Sequence, residues 1–403
     1  MNRSDAAKAG DSLEFLASSI FQSQGFLVRR SVPLKLGATT DLTDIDVFAI
    51  KFVYPFQPVT LICDCKDRDR SQANSRVFWA KGLGACIGAS EIYVACKSAR
   101  LETVQFAKQN GVRVLTNEVL REFAAQGTVD STISYSHAKR DTFEPLVFRV
   151  REGVSQDRSL KGYLDDSISA FQSIDPYEDF NYCLERIQKS TDVLSSLGPT
   201  DSAIRTAWSY VLANFVVALS VHLLYICADS LTLTKSDRKR HILQRLTFGS
   251  LPPAQAQAIV DASFRLAGET LAANKLDGYK PFLPSSRQLF RPPAYADDVV
   301  GLVERAISRP EMYHSLPQAL DFILFDAGLV AGRFDSALFA RTFPSIQGVE
   351  VLKATRNVFA FLRANSRFAQ TLFFAPPENT SPADKELAVD AAVVESQGTL
   401  SIE

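Results

Sequence analysis

Three residues near the N-terminus combine the types that hydrolyse phosphodiesters. Asp46 is a carboxylate set in an apolar run, Ile45-Asp46-Val47-Phe48. Asp64 and Lys66 close a second run, Leu61-Ile62-Cys63-Asp64-Cys65-Lys66. Strand side chains alternate, so Asp64 and Lys66 share one face and Cys63 and Cys65 the other. If the two runs pair as a hairpin, Asp46 and Asp64 meet beside Lys66. Like charges at one site are costly without a cation to share. Two carboxylates with strand carbonyls form a hard oxygen site suited to Mg²⁺, for which Mn²⁺ can substitute. A neighbouring lysine can orient or deprotonate an attacking water. Asp44 lies on the same strand face as Asp46, so the pattern leaves two candidates for the upstream ligand.

The elements that must position these residues are legible in order. Leu13, Leu16, Ala17, Ile20 and Phe21 recur at helical spacing between Asp11 and Ser23, and Gly25 stops that helix. Phe26 to Arg30 predicts a short strand, and Asp44–Val53 and Val59–Cys65 predict two more. Tyr54-Pro55-Phe56-Gln57-Pro58 separates these last two, its prolines excluding a continuing strand. A helix over 75–88, a strand over Glu91–Cys96, a helix over Leu101–Asn110, a strand over Val112–Leu115 and a helix opened by Thr116 follow. The order α-β-β-β-α-β-α-β-α, a hairpin feeding helical crossovers, predicts an α/β unit with a mixed sheet flanked by helices. Residues 127–160 are irregular, with a strand-like run at Leu146 to Val150, and from about 161 the chain is dominated by helical patterns. The expected organisation is an α/β domain over 1–126, a connecting segment over 127–160, a larger mainly α-helical domain over 161–378, and a mobile tail over 379–403.

A helix bearing Glu14, a strand bearing Asp46, then Asp64-Cys65-Lys66 and a helix–strand–helix resemble the PD-(D/E)XK nuclease superfamily, in particular Mrr-type restriction endonucleases and Holliday-junction resolvases. The resemblance covers residues ~10 to ~120, under a third of the chain. It implies a restriction-endonuclease-like fold, with Asp46 and Asp64 holding the metal and the Cys65 carbonyl as a further ligand. Lys66 would assist the water and Glu14 would support the site. It favours Asp46 over Asp44, because the apolar run after Asp46 matches the family. The chain departs from the pattern in having Ile45 where the family has proline, and Asp64 where glutamate is commoner. Asp11-Ser12-Leu13-Glu14 also reads as a capping box, an alternative use for Glu14.

Charge is balanced, 44 Lys+Arg against 45 Asp+Glu, which removes a globally basic surface as an argument for nucleic acid. A local patch must serve instead. Lys66, Arg68, Arg70, Arg76 and Lys81 cluster after Asp64, and Arg76 and Lys81 are the expected DNA-backbone contacts. A second basic stretch, Lys235 to Arg245, reads as a DNA contact, a membrane flank or a solvated face. Six widely spaced cysteines fit a reducing compartment, and MNRSDAAKAGDSLEF lacks a signal-peptide pattern, so a cytoplasmic address is expected. Thr206–Ala228 carries no Asp, Glu, Lys or Arg, and fits either a fully buried helix or a membrane span. Gly82-x-Gly84-x-x-x-Gly88 has the wrong spacing for a dinucleotide fingerprint, and no P-loop is present. The expected function is a Mg²⁺-dependent endonuclease acting on DNA, in prokaryotic restriction, phage defence or repair by the resemblance. A homodimer would suit cutting of both strands, and the helical domain could bind partner proteins. The alternatives are a non-cleaving binding or sensor protein that retains the fold, and a membrane-tethered nuclease.

Overall fold

The computed structural model describes residues 3–36, 40–66, 73–125, 137, 140–198, 201–273, 290–343, 347–369 and 372–373. The expected tail and the basic residues Arg68 and Arg70 lie outside the described residues. The first third follows the expected order: α1 (Arg3–Ser23), β1 (Leu27–Leu36), β2 (Thr40–Val53), β3 (Gln57–Lys66), α2 (Ala73–Cys86), β4 (Glu91–Cys96), α3 (Leu101–Gln109), β5 (Val112–Thr116) and α4 (Asn117–Ala125). The five strands form one sheet in the order β1-β2-β3-β4-β5. β1, β2 and β3 pair antiparallel, whereas β3, β4 and β5 pair parallel. A tight turn allows the antiparallel pairs; the parallel ones need α2 and α3 as crossovers. The turn between β2 and β3 is shorter than expected. Pro58 already pairs with Phe52, ahead of the first β3–β4 partners at Leu61 and Glu91, where its missing N–H costs no ladder bond.

The sheet is covered on both faces. Leu13, Ala17, Ile20 and Phe21 of α1 pack with Val28, Val47, Ala49, Leu61, Cys63 and Cys65. Leu27, Val32, Ile45, Phe48, Ile50 and Ile62 instead join a cluster that runs on through the helical part of the chain. One cluster of buried residues thus joins this face of the sheet to the helices.

At its centre is α8 (Ser202–Ser230), flanked by α5 (Arg140–Gln156), α6 (Leu160–Ser169) and α7 (Pro176–Ser196). Among the described residues α8 is the one helix long and apolar enough to cross a membrane, and 89% of its most apolar window is buried inside the protein. Its all-round hydrophobicity is satisfied by neighbours on every side. Tyr225 packs edge-on against Phe52 of β2 at 5.3 Å and meets the Thr60 hydroxyl at 3.4 Å.

The strand-like run at Leu146 to Val150 is corrected by the structure: it lies inside α5. Leu146, Val150 and Gly153 recur every three or four residues and form its buried face. A Cβ on Gly153 would collide with the Ala203 carbonyl and the Ala207 methyl, so glycine is what lets α5 approach α8. Short apolar runs suit either period, and here packing on α8 selects the helical one.

Candidate active site at the ends of the central strands

The β2–β3 ladder ends at Val47 and Cys63, and Asp46 and Asp64 are the residues just beyond that last pair. The ladder on the other side of β2 lapses at the same place. Arg30 pairs with Val47 and Val32 with Ile45, leaving Ser31 and Asp46 facing one another between them. Ser31 has φ +49°, a left-handed conformation that is costly for a residue with a Cβ. Val47 packs beneath α1 while Ile45 joins Val32 in the other core, so strand alternation slips across Asp46.

The Asp46 carboxylate reaches over to β3. Its Oδ2 accepts a hydrogen bond from the Cys65 backbone N–H at 2.7 Å and another from Lys66 Nζ at 3.0 Å; Oδ1 accepts from the same ammonium at 3.3 Å. Asp44 is exposed near the Pro33 pairing. Of the two upstream candidates, Asp46 is the one joined to the end of β3.

Asp64 is 5% exposed, and burial pushes its carboxyl pKa up. Hydrogen bonds and charge from Arg76 oppose that rise, the Asp46 charge adds to it, and Lys66 opposes it. Arg76 on α2 grips Asp64 at both oxygens: Nε donates to Oδ2 at 2.7 Å and Nη2 donates to Oδ1. Val77 and Ala80 anchor α2 on Val94, which sets Arg76 above the β3 end. Arg76 is therefore not the free phosphate contact its position in sequence suggests. Lys81, by contrast, is exposed on α2. The Arg76 guanidinium also approaches the ring of half-exposed Trp79 at 5.9 Å.

Cys65 is buried, and its thiol pKa lies well above the usual cysteine value. The causes are the hydrogen-bonding contact with Cys63 (Sγ–Sγ 3.8 Å), burial, and the negative charges of Cys63, Asp46 and Glu14. A thiol so held protonated is no nucleophile. Glu14 lies on α1, the helix that packs over Cys63 and Cys65. Glu14 also lines a cleft of about 800 Å³ with Arg30, Ser31, Phe143 and Tyr210. Among the described residues, no three His, Cys, Asp or Glu side chains converge to cage a metal. Among the described residues, Asp46 and Asp64 are carboxylates with hydrogen bonds at this end, to Cys65 N–H and Lys66 and to Arg76.

The basic stretch Lys235 to Arg245 falls on α9 (Lys235–Phe248). Arg238 pairs with Glu304, Lys239 with Asp297, Arg240 with Asp237 and Arg245 with Asp175. Much of its charge is thus spent on neighbouring carboxylates.

Two features are not visible in the sequence patterns. The Arg76–Asp64 pair joins residues across the crossover that follows β3, and no local spacing reports such a pair. The other is a buried ion pair in which Arg29 Nη2 donates to Asp321 Oδ1 at 2.6 Å and Nε donates to Asn214 Oδ1 at 3.1 Å. Its one local signal is a single charge in each of two apolar runs, Leu27-Val28-Arg29 and Leu320-Asp321-Phe322.

No protein-family model, no curated protein and no solved structure matches the chain.

Proposed function

We propose that the chain is a metal-dependent endonuclease that hydrolyses DNA phosphodiester bonds, with a restriction-endonuclease-like α/β unit as its catalytic part. The observation that carries this reading is the tie of Asp46 on β2 to the end of β3, with Lys66 Nζ 3.0 Å from Asp46 Oδ2 and the Cys65 N–H donating to it, next to the buried Asp64. Two carboxylates fit Mg²⁺, which keeps several of its waters and takes only one or two carboxylates from a protein. Asp46, Asp64 and the Cys65 carbonyl would hold the ion. When bound, it supplies a Lewis acid for the phosphoryl oxygen and lowers the pKa of a coordinated water. Lys66 orients or deprotonates the attacking water from its place beside Asp46. Glu14 supports the arrangement from α1, and Lys81 offers the DNA backbone a cation from α2. Restriction, phage defence or repair in a prokaryote is the setting that the resemblance implies.

A second reading draws on one specific observation. Lys66 and Arg76 already neutralise Asp46 and Asp64, as they would in a binding protein that never cuts. Purified protein incubated with plasmid, with single-stranded DNA and with RNA separates the two. The nuclease reading expects cleavage with Mg²⁺ or Mn²⁺ and none with EDTA. Retention of nucleic acid without cleavage in any metal favours the binding protein.

A further inference from the structure

Asp64 and Arg76 raise a question of occupancy. The Asp64 carboxylate is almost wholly buried and already takes hydrogen bonds from Arg76 on both oxygens. A divalent ion at Asp64 and a bidentate guanidinium compete for the same lone pairs. Arg76 has somewhere else to go. Its side chain is 27% exposed, and it lies on the helix face that carries half-exposed Trp79, whose ring its guanidinium already approaches at 5.9 Å. Exposed Lys81 stands on the same helix, little more than a turn further on.

Resting on the nuclease reading, we propose that Arg76 is the resident cation of the site: it holds Asp64 until a divalent ion takes that carboxylate, and then turns to the α2 surface. There, beside Trp79, it meets a nucleic-acid phosphate. Metal binding and nucleic-acid binding are then coupled through one side chain, and coupling of that kind is reciprocal. The exchange also keeps Asp64 paired at every stage, since a buried carboxylate stripped of its partner is strongly unfavourable. Without metal the surface lacks one cation and binds nucleic acid weakly. With metal it gains that cation beside the bond to be cut.

The test uses the full chain at pH 8. Calorimetric titration with Mn²⁺ alone is compared for wild type, Arg76→Gln, Arg76→Ala and Asp64→Asn. Glutamine keeps a hydrogen-bond donor for Asp64 and guards against misfolding of the alanine variant. Expected is Mn²⁺ binding about tenfold tighter in the Arg76 variants, a size typical of coupled sites, and none in Asp64→Asn. Trp79 fluorescence should respond to Mn²⁺ in the wild type, Trp208 being buried. Binding of a short labelled DNA duplex should strengthen when Ca²⁺ replaces EDTA in the wild type, and that gain should shrink in Arg76→Gln. Mn²⁺ binding in the Arg76 variants equal to or weaker than wild type overturns the exchange while leaving the nuclease reading intact. No Mn²⁺ uptake by any of the four proteins removes the metal site, and with it both proposals. Uptake by the Arg76 variants alone supports the exchange in its strongest form.

Discussion

Lys66 Nζ stands 3.0 Å from Asp46 Oδ2, so the lysine that ends β3 is tied to the carboxylate of the neighbouring strand. That contact separates Asp46 from Asp44 on β2. Asp46→Ala should lower metal-dependent cleavage by about 100-fold or more, the scale of losing a positioned acid–base group together with a metal ligand. Asp44→Ala, a change at an exposed position, should leave the rate within about twofold. Initial rates of plasmid cleavage at saturating Mg²⁺ check both. The opposite ranking would move the site by two residues along β2.

Acid should weaken the fold through two buried histidines. Burial pushes the pKa of His137 well below the usual imidazole value, with the charges of Arg29 and Arg30 adding to the effect. Burial also lowers that of His222, whose Nε2 lies 2.8 Å from the Ala170 carbonyl oxygen. Above about pH 6.5 both are neutral in the folded and unfolded chain alike. As pH falls below that value, the unfolded chain takes up protons that the folded one resists, and stability is lost. Each histidine contributes at most about 1.4 kcal/mol per pH unit, the limit for a whole proton taken up by the unfolded chain alone. Urea midpoints between pH 7.5 and pH 5 should fall, with a shallower slope in His222→Gln. An unchanged slope would mean that His222 is protonated without cost.

The buried pair of Arg29 and Asp321 should behave as a bolt between β1 and the helices. Arg29 is enclosed by carboxylate, amide and the face of Phe171, 4.4 Å from the guanidinium carbon. Arg29→Met leaves Asp321 with only His137, whose Nε2 is 3.6 Å away, and should cost about 3–5 kcal/mol by chemical denaturation. The double variant Arg29→Met, Asp321→Leu is expected to lose less stability than Arg29→Met alone, because no uncompensated charge remains. Equal or greater loss in the double variant would show that the site depends on shape rather than on charge pairing.

The apolar helix α8 should act as core rather than anchor. Val217 is fully buried among its neighbours, so Val217→Asp forces a carboxylate into the core and should cost at least about 4 kcal/mol. Fractionation without detergent should return the wild-type chain in the soluble fraction, and the variant aggregated or degraded. Wild type confined to membranes would contradict this role for α8.

What is legible in the sequence follows from range. Period and punctuation place the order of the sheet's elements, because the apolar run of β3 and the glycines after α1 and α3 are local signals, though β1 runs on to Leu36, six residues past the expected end. The antiparallel pairing of β2 with β3 can be reasoned out because a hairpin is also local. The Arg76 grip on Asp64 cannot, since side-chain pairing across a crossover leaves no periodic trace. Thr206–Ala228 illustrates the other limit: a helix surrounded by protein and one surrounded by lipid share one composition, and only the neighbours distinguish them. Leu146–Val150 reads as a strand but folds as helix for a related reason, because a short apolar run fits two periods until its packing partner is known. Ser31, left-handed opposite Asp46, carries no signal at all, since serine is common in ordinary strands.

In the proposed nuclease site Asp64 holds the metal and Lys66 assists the water. The decisive measurement is the initial rate of plasmid cleavage in Mg²⁺ for wild type, Asp64→Ala and Lys66→Ala, each verified as folded by its unfolding transition. Mg²⁺-dependent cleavage by the wild type is predicted, with rates at the EDTA background for both variants. Cleavage that survives in both would contradict those roles.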